Sequence, residues 1–162
     1  MTQGTAFADT YNKALEVLAR GPRATKDLGR WLAQREHSPD DISAALERLT
    51  ERGLLNDAAY ATMFARSRLT THHMSRRRIA AELAKRGVDR AVADAAIAEV
   101  MEDEAIDERA MVSAAAAKKM RSLAQLGPDV QRRRLYGFLA RKGYPADLVR
   151  SVVATLMTRG AR

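Results

Sequence analysis

The feature that most constrains the fold is a helical pattern that recurs along the chain. Apolar residues follow helical spacing throughout, and no alternating run of β-branched residues bounded by turns predicts a strand. Residues 78–100 and residues 134–156 align without a gap. The matching apolar pairs are Ile79 and Leu135, Leu83 and Leu139, Val92 and Leu148, Ala96 and Val152, and Val100 and Leu156. Self-similarity of this length predicts tandem helical units.

Each of these windows contains turn residues between two helical segments. Gly87 and Gly143 stand where the end of a helix favours a left-handed residue, and Asp89 is a good N-cap for the helix that follows. A third window, residues 27–49, matches the other two if its turn has one extra residue, with Ser38 as the cap. Each window therefore predicts a helix, a tight turn and a second helix.

A further helix is predicted before each window, because two short helices alone bury little surface. The one before the second window begins after an Asn56 or Asp57 cap. We therefore predict an all-α fold of three tandem three-helix repeats, with an irregular helical bundle as the alternative. The predicted repeats are residues 11–53, 57–101 and 107–157, joined at Gly53 and by the acidic stretch Glu99–Glu108.

Charge is distributed unevenly along the chain. The net charge is +8, yet residues 1–111 contain 17 basic and 18 acidic residues, whereas residues 112–162 contain 11 basic and 2 acidic residues. A basic end on a neutral body indicates a polyanionic partner or a solvated surface. With no cysteine, no signal peptide and no apolar run near the roughly 18–20 residues that span a bilayer, we expect a cytoplasmic protein without membrane contact.

Basic residues cluster at matching places of the second and third windows. Arg76–Arg78 open a predicted helix, where positive charge opposes the helix dipole, so they indicate contact with an anion. Arg132–Arg134 hold the matching place before Leu135, and the two clusters predict a basic stripe; solvated helix faces are the alternative. The predicted binding residues are Arg66, Arg68, Arg76, Arg77, Arg78, Lys85, Arg86, Lys118, Lys119, Arg121, Arg132, Arg133, Arg134, Arg141 and Lys142.

The sequence offers little for catalysis. It has no HExxH zinc motif, no GxxxxGK[ST] phosphate loop and no nucleophile elbow. The adjacent His72 and His73 diverge on any regular element. The acidic residues 102–108 suggest a metal site less well than they suggest a solvated joint. Pairing of their charge with basic clusters of neighbouring units is the alternative. We therefore expect no enzymatic activity, no metal and no cofactor.

Two segments resemble a known protein family. Residues 53–68, GLLNDAAYATMFARSR, and residues 77–88, RRIAAELAKRGV, are similar to the central hallmark of the RecX family. Residues 138–144, FLARKGY, resemble the later repeat of that family. Two departures stand out: Met74–Ser75 replaces a usual Gly-Pro, and Arg35–Glu36–His37 replaces a Lys-Gly turn.

The resemblance implies a fold and a function. RecX proteins are elongated, curved arrays of three-helix repeats that lodge in the groove of the filament that RecA forms on single-stranded DNA. They block or reverse filament growth, which restrains ATP hydrolysis, strand exchange and the coprotease response, and they have no catalytic residues. By resemblance we expect a monomeric regulator of recombinational repair and the SOS response, with RecA filaments and single-stranded DNA (weakly, without sequence preference) as partners.

A winged-helix-like transcriptional regulator is the alternative. Residues 14–55 fit the helical core of such a protein, and a β-hairpin wing should then follow Leu55. The sequence after Leu55 instead predicts a capped helix, with Tyr60 and Phe64 at helical spacing. Preference for a particular duplex sequence would distinguish this regulator from a filament modulator.

Overall fold

All regular structure in the described part of the chain is helical. The computed structural model describes residues 2–160, and it describes side chains for residues 5–158. This range contains no strand, and none of its helices is both long and apolar enough to cross a membrane. The helices are α1 Thr2–Ala19, α2 Thr25–Ala33, α3 Pro39–Glu51, α4 Asp57–Thr70, α5 Arg76–Lys85, α6 Arg90–Asp103, α7 Glu108–Arg121, α8 Pro128–Arg141 and α9 Ala146–Gly160.

The triplets α1–α3, α4–α6 and α7–α9 repeat one backbone pattern. Glu36, Gly87 and Gly143 have φ angles of 65°, 80° and 87°, each in the turn between the last two helices of its triplet. Glu36 lies 51 residues before Gly87, and Ser38 lies 51 residues before the equivalent cap Asp89. The spacing of the two turns is therefore equal, and the prediction of an extra residue in the first turn is wrong. Glu36 occupies the left-handed position that glycine holds in the other two turns.

Carboxylates at the start of one triplet hold the start of a helix in the triplet before it. Asn56 caps α4, since its Oδ1 accepts the backbone N–H three residues later at 3.0 Å. This leaves Asp57, the first residue of α4, to accept the backbone N–H and the hydroxyl of Thr25 at 2.8 and 3.0 Å. Likewise Glu108, the first residue of α7, accepts the N–H of Arg76 at 3.0 Å. Thr25 and Arg76 each begin the second helix of their triplet.

The first and third triplets each pack around a core of their own. The three helices of each triplet contact one another. Leu28, Leu32 and Leu49 are completely buried in the first core, as are Leu135 and Leu139 in the third. Burial of one such side chain contributes about 1.5–3 kcal/mol relative to exposure, so these residues supply much of the driving force for folding.

Two compact units divide the chain differently from the triplets. One unit contains the chain up to Phe64 together with Glu82–Ala96, and the other contains Ala65–Ala81 and the chain from Ile97 onward. Each helix of the second triplet therefore contributes to both units. The repeat boundaries 11–53, 57–101 and 107–157 remain a prediction.

A glycine turn lies against the beginning of an earlier helix in each unit. A Cβ atom on Gly87 would lie 2.5 Å from the Cβ of Lys26. A Cβ atom on Gly143 would lie 2.5 Å from the Cβ of Arg78 and 2.7 Å from the Oγ of Ser75. Both turns therefore need glycine for close packing as well as for a positive φ angle.

The chain after Leu55 distinguishes the two fold hypotheses. Helix α4 begins at Asp57, where a winged-helix protein would have a β-hairpin. Tyr60 and Phe64 lie on one face of this helix, with ring centroids 6.1 Å apart. Residues 2–160 thus contain the helical repeat in place of the wing.

Candidate anion-binding surfaces

The predicted basic residues differ in exposure. Exposed residues are Arg76, Arg77, Lys85, Lys118, Arg121, Arg132, Arg133, Arg134 and Arg141. Half-buried residues are Arg66, Arg68, Arg78, Arg86, Lys119 and Lys142. This division matters because a half-buried cation has a fixed position and contacts within the protein, whereas an exposed one is accessible to a partner.

The acidic joint between the second and third triplets has partners within the protein. Arg66 forms ion pairs with Asp103, at 3.2 Å, and with Glu104. Asp107 caps α7 through its Oδ1, and Glu108 holds the start of α5. The observed partner of these carboxylates is thus a single arginine of the second triplet, and not a basic cluster of a neighbouring unit. Among the residues with described side chains, no group of three or more acidic or histidine residues is placed to hold a metal ion.

Two lysines lie against the ring of Phe138, and two further cations act on one of these lysines. The Nζ atoms of Lys119 and Lys142 lie 5.6 and 5.1 Å from its ring centroid, within cation–π range. Burial lowers the pKa of Lys142, and the charges of Arg78 and Lys118 lower it further. We call these five residues the Phe138 cluster. Like charges held this close concentrate positive potential, which attracts an anionic partner.

A second basic cluster lines a recess in the other unit. The recess has a volume of about 460 Å³ and includes Arg20, Arg23 and Arg86 beside Tyr60. Arg23 donates to Asp27 at 3.0 Å, so the recess keeps an excess of positive charge. Burial raises the pKa of Tyr60 although Arg86 lowers it, and the phenol therefore keeps the proton that it can donate to an anion. We call the three arginines and Tyr60 the Tyr60 cluster.

The two clusters share one position of the repeat. Arg86 and Lys142 lie 56 residues apart, and each directly precedes the left-handed glycine of its turn. Arg86 also lies over an aromatic ring, since its guanidinium carbon is 4.6 Å from the ring centroid of Phe64. The predicted correspondence of these positions is present in the structure, and their role in binding remains a prediction.

The two arginine triplets occupy different helical positions. Arg76–Arg78 form the first turn of α5, as predicted. Helix α8 already begins at Pro128, so Arg132–Arg134 lie in its second turn. The match in register with Leu135 is present, but the unfavourable interaction with a helix N-terminus applies to Arg76–Arg78 alone. Proline at the first position explains the earlier start, because its fixed φ suits that position.

Sequence reasoning missed Arg20 and Arg23. Both lie in the connection between α1 and α2, on either side of Gly21–Pro22. By itself that dipeptide indicates the end of a helix and no binding role. A basic residue on each side of a helix-ending Gly-Pro was the available signal, because connecting loops often position binding residues.

The repeats match three family models in order along the chain. These describe the first, second and third three-helix domains of RecX, and they match residues 11–49, 56–97 and 107–153. The chain belongs to the RecX family.

Curated relatives of the RecX family cover most of the chain. A protein named Regulatory protein RecX from Amycolatopsis mediterranei is 36% identical over 90% of this chain and 83% of its own length. Its counterpart from Halorhodospira halophila is 36% identical over 93% of this chain and 90% of its own length. That of Mycolicibacterium vanbaalenii is 38% identical over 86% and 77%. The matched proteins are thus named as regulators.

Solved RecX structures share the fold. The crystal structure of RecX from Lactobacillus salivarius matches with a TM-score of 0.75 at 22% identity, over 94% of this chain and 97% of that one. A crystal structure of another regulatory protein RecX matches with a TM-score of 0.76 at 18% identity, over 91% and 72%. The all-α fold of three tandem three-helix units is thus that of the RecX family.

Proposed function

We propose that this RecX-family protein binds RecA and its filaments on single-stranded DNA. There it inhibits filament growth, ATP hydrolysis, strand exchange and coprotease activity, and so modulates recombinational DNA repair and the SOS response. It acts as a cytoplasmic monomer without catalytic residues or a cofactor. The observation that carries the proposal is the basic cluster that recurs at one position of successive repeats, at Arg86 and at Lys142.

A nucleoprotein filament offers phosphates and protein side chains together. Guanidinium and ammonium groups bind phosphate without reading base sequence, so the affinity for single-stranded DNA should be weak and sequence-tolerant. Each neutralised phosphate contributes about −0.7 to the slope of log affinity against log salt for single strands. A steep slope is therefore the signature of the basic clusters in contact with DNA.

The exposed arginines are the best candidates for first contact. Arg76 and Arg77 are exposed at the start of α5, and Arg132–Arg134 are exposed on α8. Arg86 and Lys142 are half-buried beside aromatic rings, so each provides fixed charge within its own unit. Fixed cations lose little side-chain entropy on binding, which favours their use at an interface.

The proposal is tested by the single-stranded-DNA-dependent ATPase activity of RecA from the same organism. The protein is titrated at substoichiometric levels. We expect turnover to fall well below one molecule per RecA monomer, which is characteristic of blocked growth at filament ends. Unchanged turnover up to equimolar protein would contradict the proposal.

Charge reversal locates the contact surface. The Arg76→Glu/Arg77→Glu variant should inhibit RecA less, while its circular dichroism stays the same because glutamate suits a helix N-terminus. The matched control is Arg90→Glu/Arg150→Glu, which changes the net charge equally at two exposed positions outside the predicted set. Arg132→Glu/Arg133→Glu/Arg134→Glu tests the third triplet. Unchanged filament binding in both test variants would contradict the predicted surface.

A further inference from the structure

The third triplet has an apolar groove with a basic rim. The groove has a volume of about 740 Å³ and lies among the end of α7, the start of α8 and α9. Its lining is mainly apolar, and Arg121 and Arg132 are exposed at its edge. The principal apolar residues of the lining are Met120, Pro128, Leu156 and Met157.

The same positions are closed in the second triplet. Corresponding residues of the second and third triplets are Leu69 and Met120, Ser75 and Gln131, and Val100 and Leu156. The first member of each pair is at most 1% exposed, whereas the second is half-buried. Among the residues with described side chains, 5–158, the repeat therefore has one groove that is closed in the second triplet and open in the third.

An acidic segment contacts the groove positions of the second triplet. Arg66 binds the carboxylates of Asp103 and Glu104, and the backbone N–H of Arg76 donates to Glu108. In the third triplet, Arg132 corresponds to Arg76 and lines the open groove. Ala117 stands at the place of Arg66, and Arg121, one helical turn further along α7, supplies a cation to the same groove. In the second triplet a segment with several carboxylates thus binds beside these positions, and the two exposed arginines of the open groove favour the same kind of segment.

We propose that the groove of the third triplet binds an acidic, partly apolar segment of a partner protein. Arg121 and Arg132 supply the complementary charge, and the apolar lining supplies buried contact area. Because α8 begins at Pro128, the N–H of Arg132 lies inside the helix, so guanidinium groups receive the carboxylates instead of a free backbone N–H. The occupant is a protein segment held in an apolar groove, so the interaction goes beyond the proposed function.

The acidic joint of the chain itself supplies the probe. A fluorescein-labelled peptide of residues 99–109, EVMEDEAIDER, is titrated with the full-length protein, and its fluorescence anisotropy is recorded. We expect saturable binding of one peptide per protein. A second peptide, with every Asp and Glu replaced by Asn and Gln, should bind at least about tenfold more weakly, because the ion pairs at the rim are lost.

Charge reversal at the rim separates the groove from general electrostatics. Arg132→Glu should weaken peptide binding roughly tenfold, since it replaces attraction by repulsion at one exposed site. Arg133→Glu is the matched control, because it makes the same charge change at the next residue, which does not line the groove. Both residues are exposed, so both variants should fold.

Four results would overturn the proposal. The first is absence of saturable binding to the wild-type protein, and the second is equal loss of binding in both variants. The third is self-association in sedimentation velocity that Arg132→Glu abolishes, since a second copy would then occupy the groove. The fourth is displacement of the peptide by single-stranded DNA whose own binding Arg132→Glu weakens and Arg133→Glu does not, which would assign the groove to nucleic acid.

Discussion

Two junctions between successive triplets share a plan and differ in chemistry. In both, a carboxylate holds a helix start and a left-handed glycine packs against an earlier helix. At the first junction Asp57 accepts two hydrogen bonds from Thr25. At the second, Glu108 accepts one bond from Arg76, and hydrogen bonds to backbone carbonyls provide the rest.

The second junction has a denser hydrogen-bond network. The buried Ser75 donates its backbone N–H to the carbonyl of Lys142 at 3.0 Å. The hydroxyl of Tyr144 donates to the carbonyl of His73 at 2.8 Å, and the Nζ of Lys142 donates to the carbonyl of His72. Both junctions therefore use a carboxylate. The first adds one hydrogen bond to a backbone carbonyl, from Arg30 to Lys85 at 2.7 Å, whereas the second adds three.

The largest expected loss of stability is that caused by adding a methyl group at the left-handed glycine of the second junction. Gly143→Ala should destabilise the protein by about 3 kcal/mol, because a Cβ atom meets Arg78 and the buried Ser75 at a positive φ angle. Gly87→Ala should cost about 2 kcal/mol, since its Cβ meets only the side chain of Lys26. Urea unfolding measures both. A larger loss for Gly87→Ala would reverse the order of the two junctions.

The carboxylates should show the opposite order. Asp57→Ala removes two hydrogen bonds to Thr25 and should cost about 2 kcal/mol, whereas Glu108→Ala removes one to Arg76 and should cost about 1 kcal/mol. Thermal unfolding of the two variants measures the difference. Asp41→Ala, which changes an exposed hydrogen bond to Ser38 away from both junctions, is the control. Equal losses of stability in Asp57→Ala and Glu108→Ala would contradict the proposal that the carboxylate contributes more at the first junction than at the second.

The helices and caps could be predicted from local sequence, and the junctions could not. Apolar spacing found the buried pair Leu83 and Leu139, and turn chemistry found Gly87, because both signals lie within one repeat. Asp57 looked like an alternative helix cap, yet it binds Thr25, 32 residues earlier in the sequence. Arg20 was missed for the same reason, since only packing against a neighbouring triplet turns a loop residue into part of a cluster.

Alkaline pH should weaken the second junction through Tyr144. Burial raises the pKa of Tyr144 above the ordinary value of 10.0. Its contribution to stability is therefore complete below the unfolded-state pKa of about 10 and is lost as the pH rises towards the folded-state pKa. Tyr144→Phe should cost about 1 kcal/mol at neutral pH through the lost bond to His73, and it should flatten the decline above pH 10. Unfolding free energies between pH 7 and roughly 11 measure both.

The decline of the unfolding free energy above pH 10 can be compared with that of a variant at the first junction. The residue at the matching place of the first junction is Val88, which is buried and has no hydroxyl, so Val88→Ala should lower stability equally at all pH values. The raised pKa of Tyr60 leaves some alkaline dependence in the Phe variant. An unchanged slope in Tyr144→Phe would show that the second junction does not titrate through this residue.

The smallest effect is expected in the first turn, which has a glutamate at the position of the two glycines. Glu36 is exposed and has a φ angle of 65°. A left-handed conformation costs a non-glycine residue about 1–2 kcal/mol, and the extra chain entropy of glycine offsets about 0.5–1 kcal/mol, so Glu36→Gly should stabilise by roughly 0.5 kcal/mol. Glu36→Ala keeps the unfavourable φ angle and should not stabilise. Equal urea midpoints for the Gly and Ala variants would show that any gain in stability comes from removal of the charge. The left-handed position would then affect stability only where the turn packs against another triplet, as at Gly87 and Gly143.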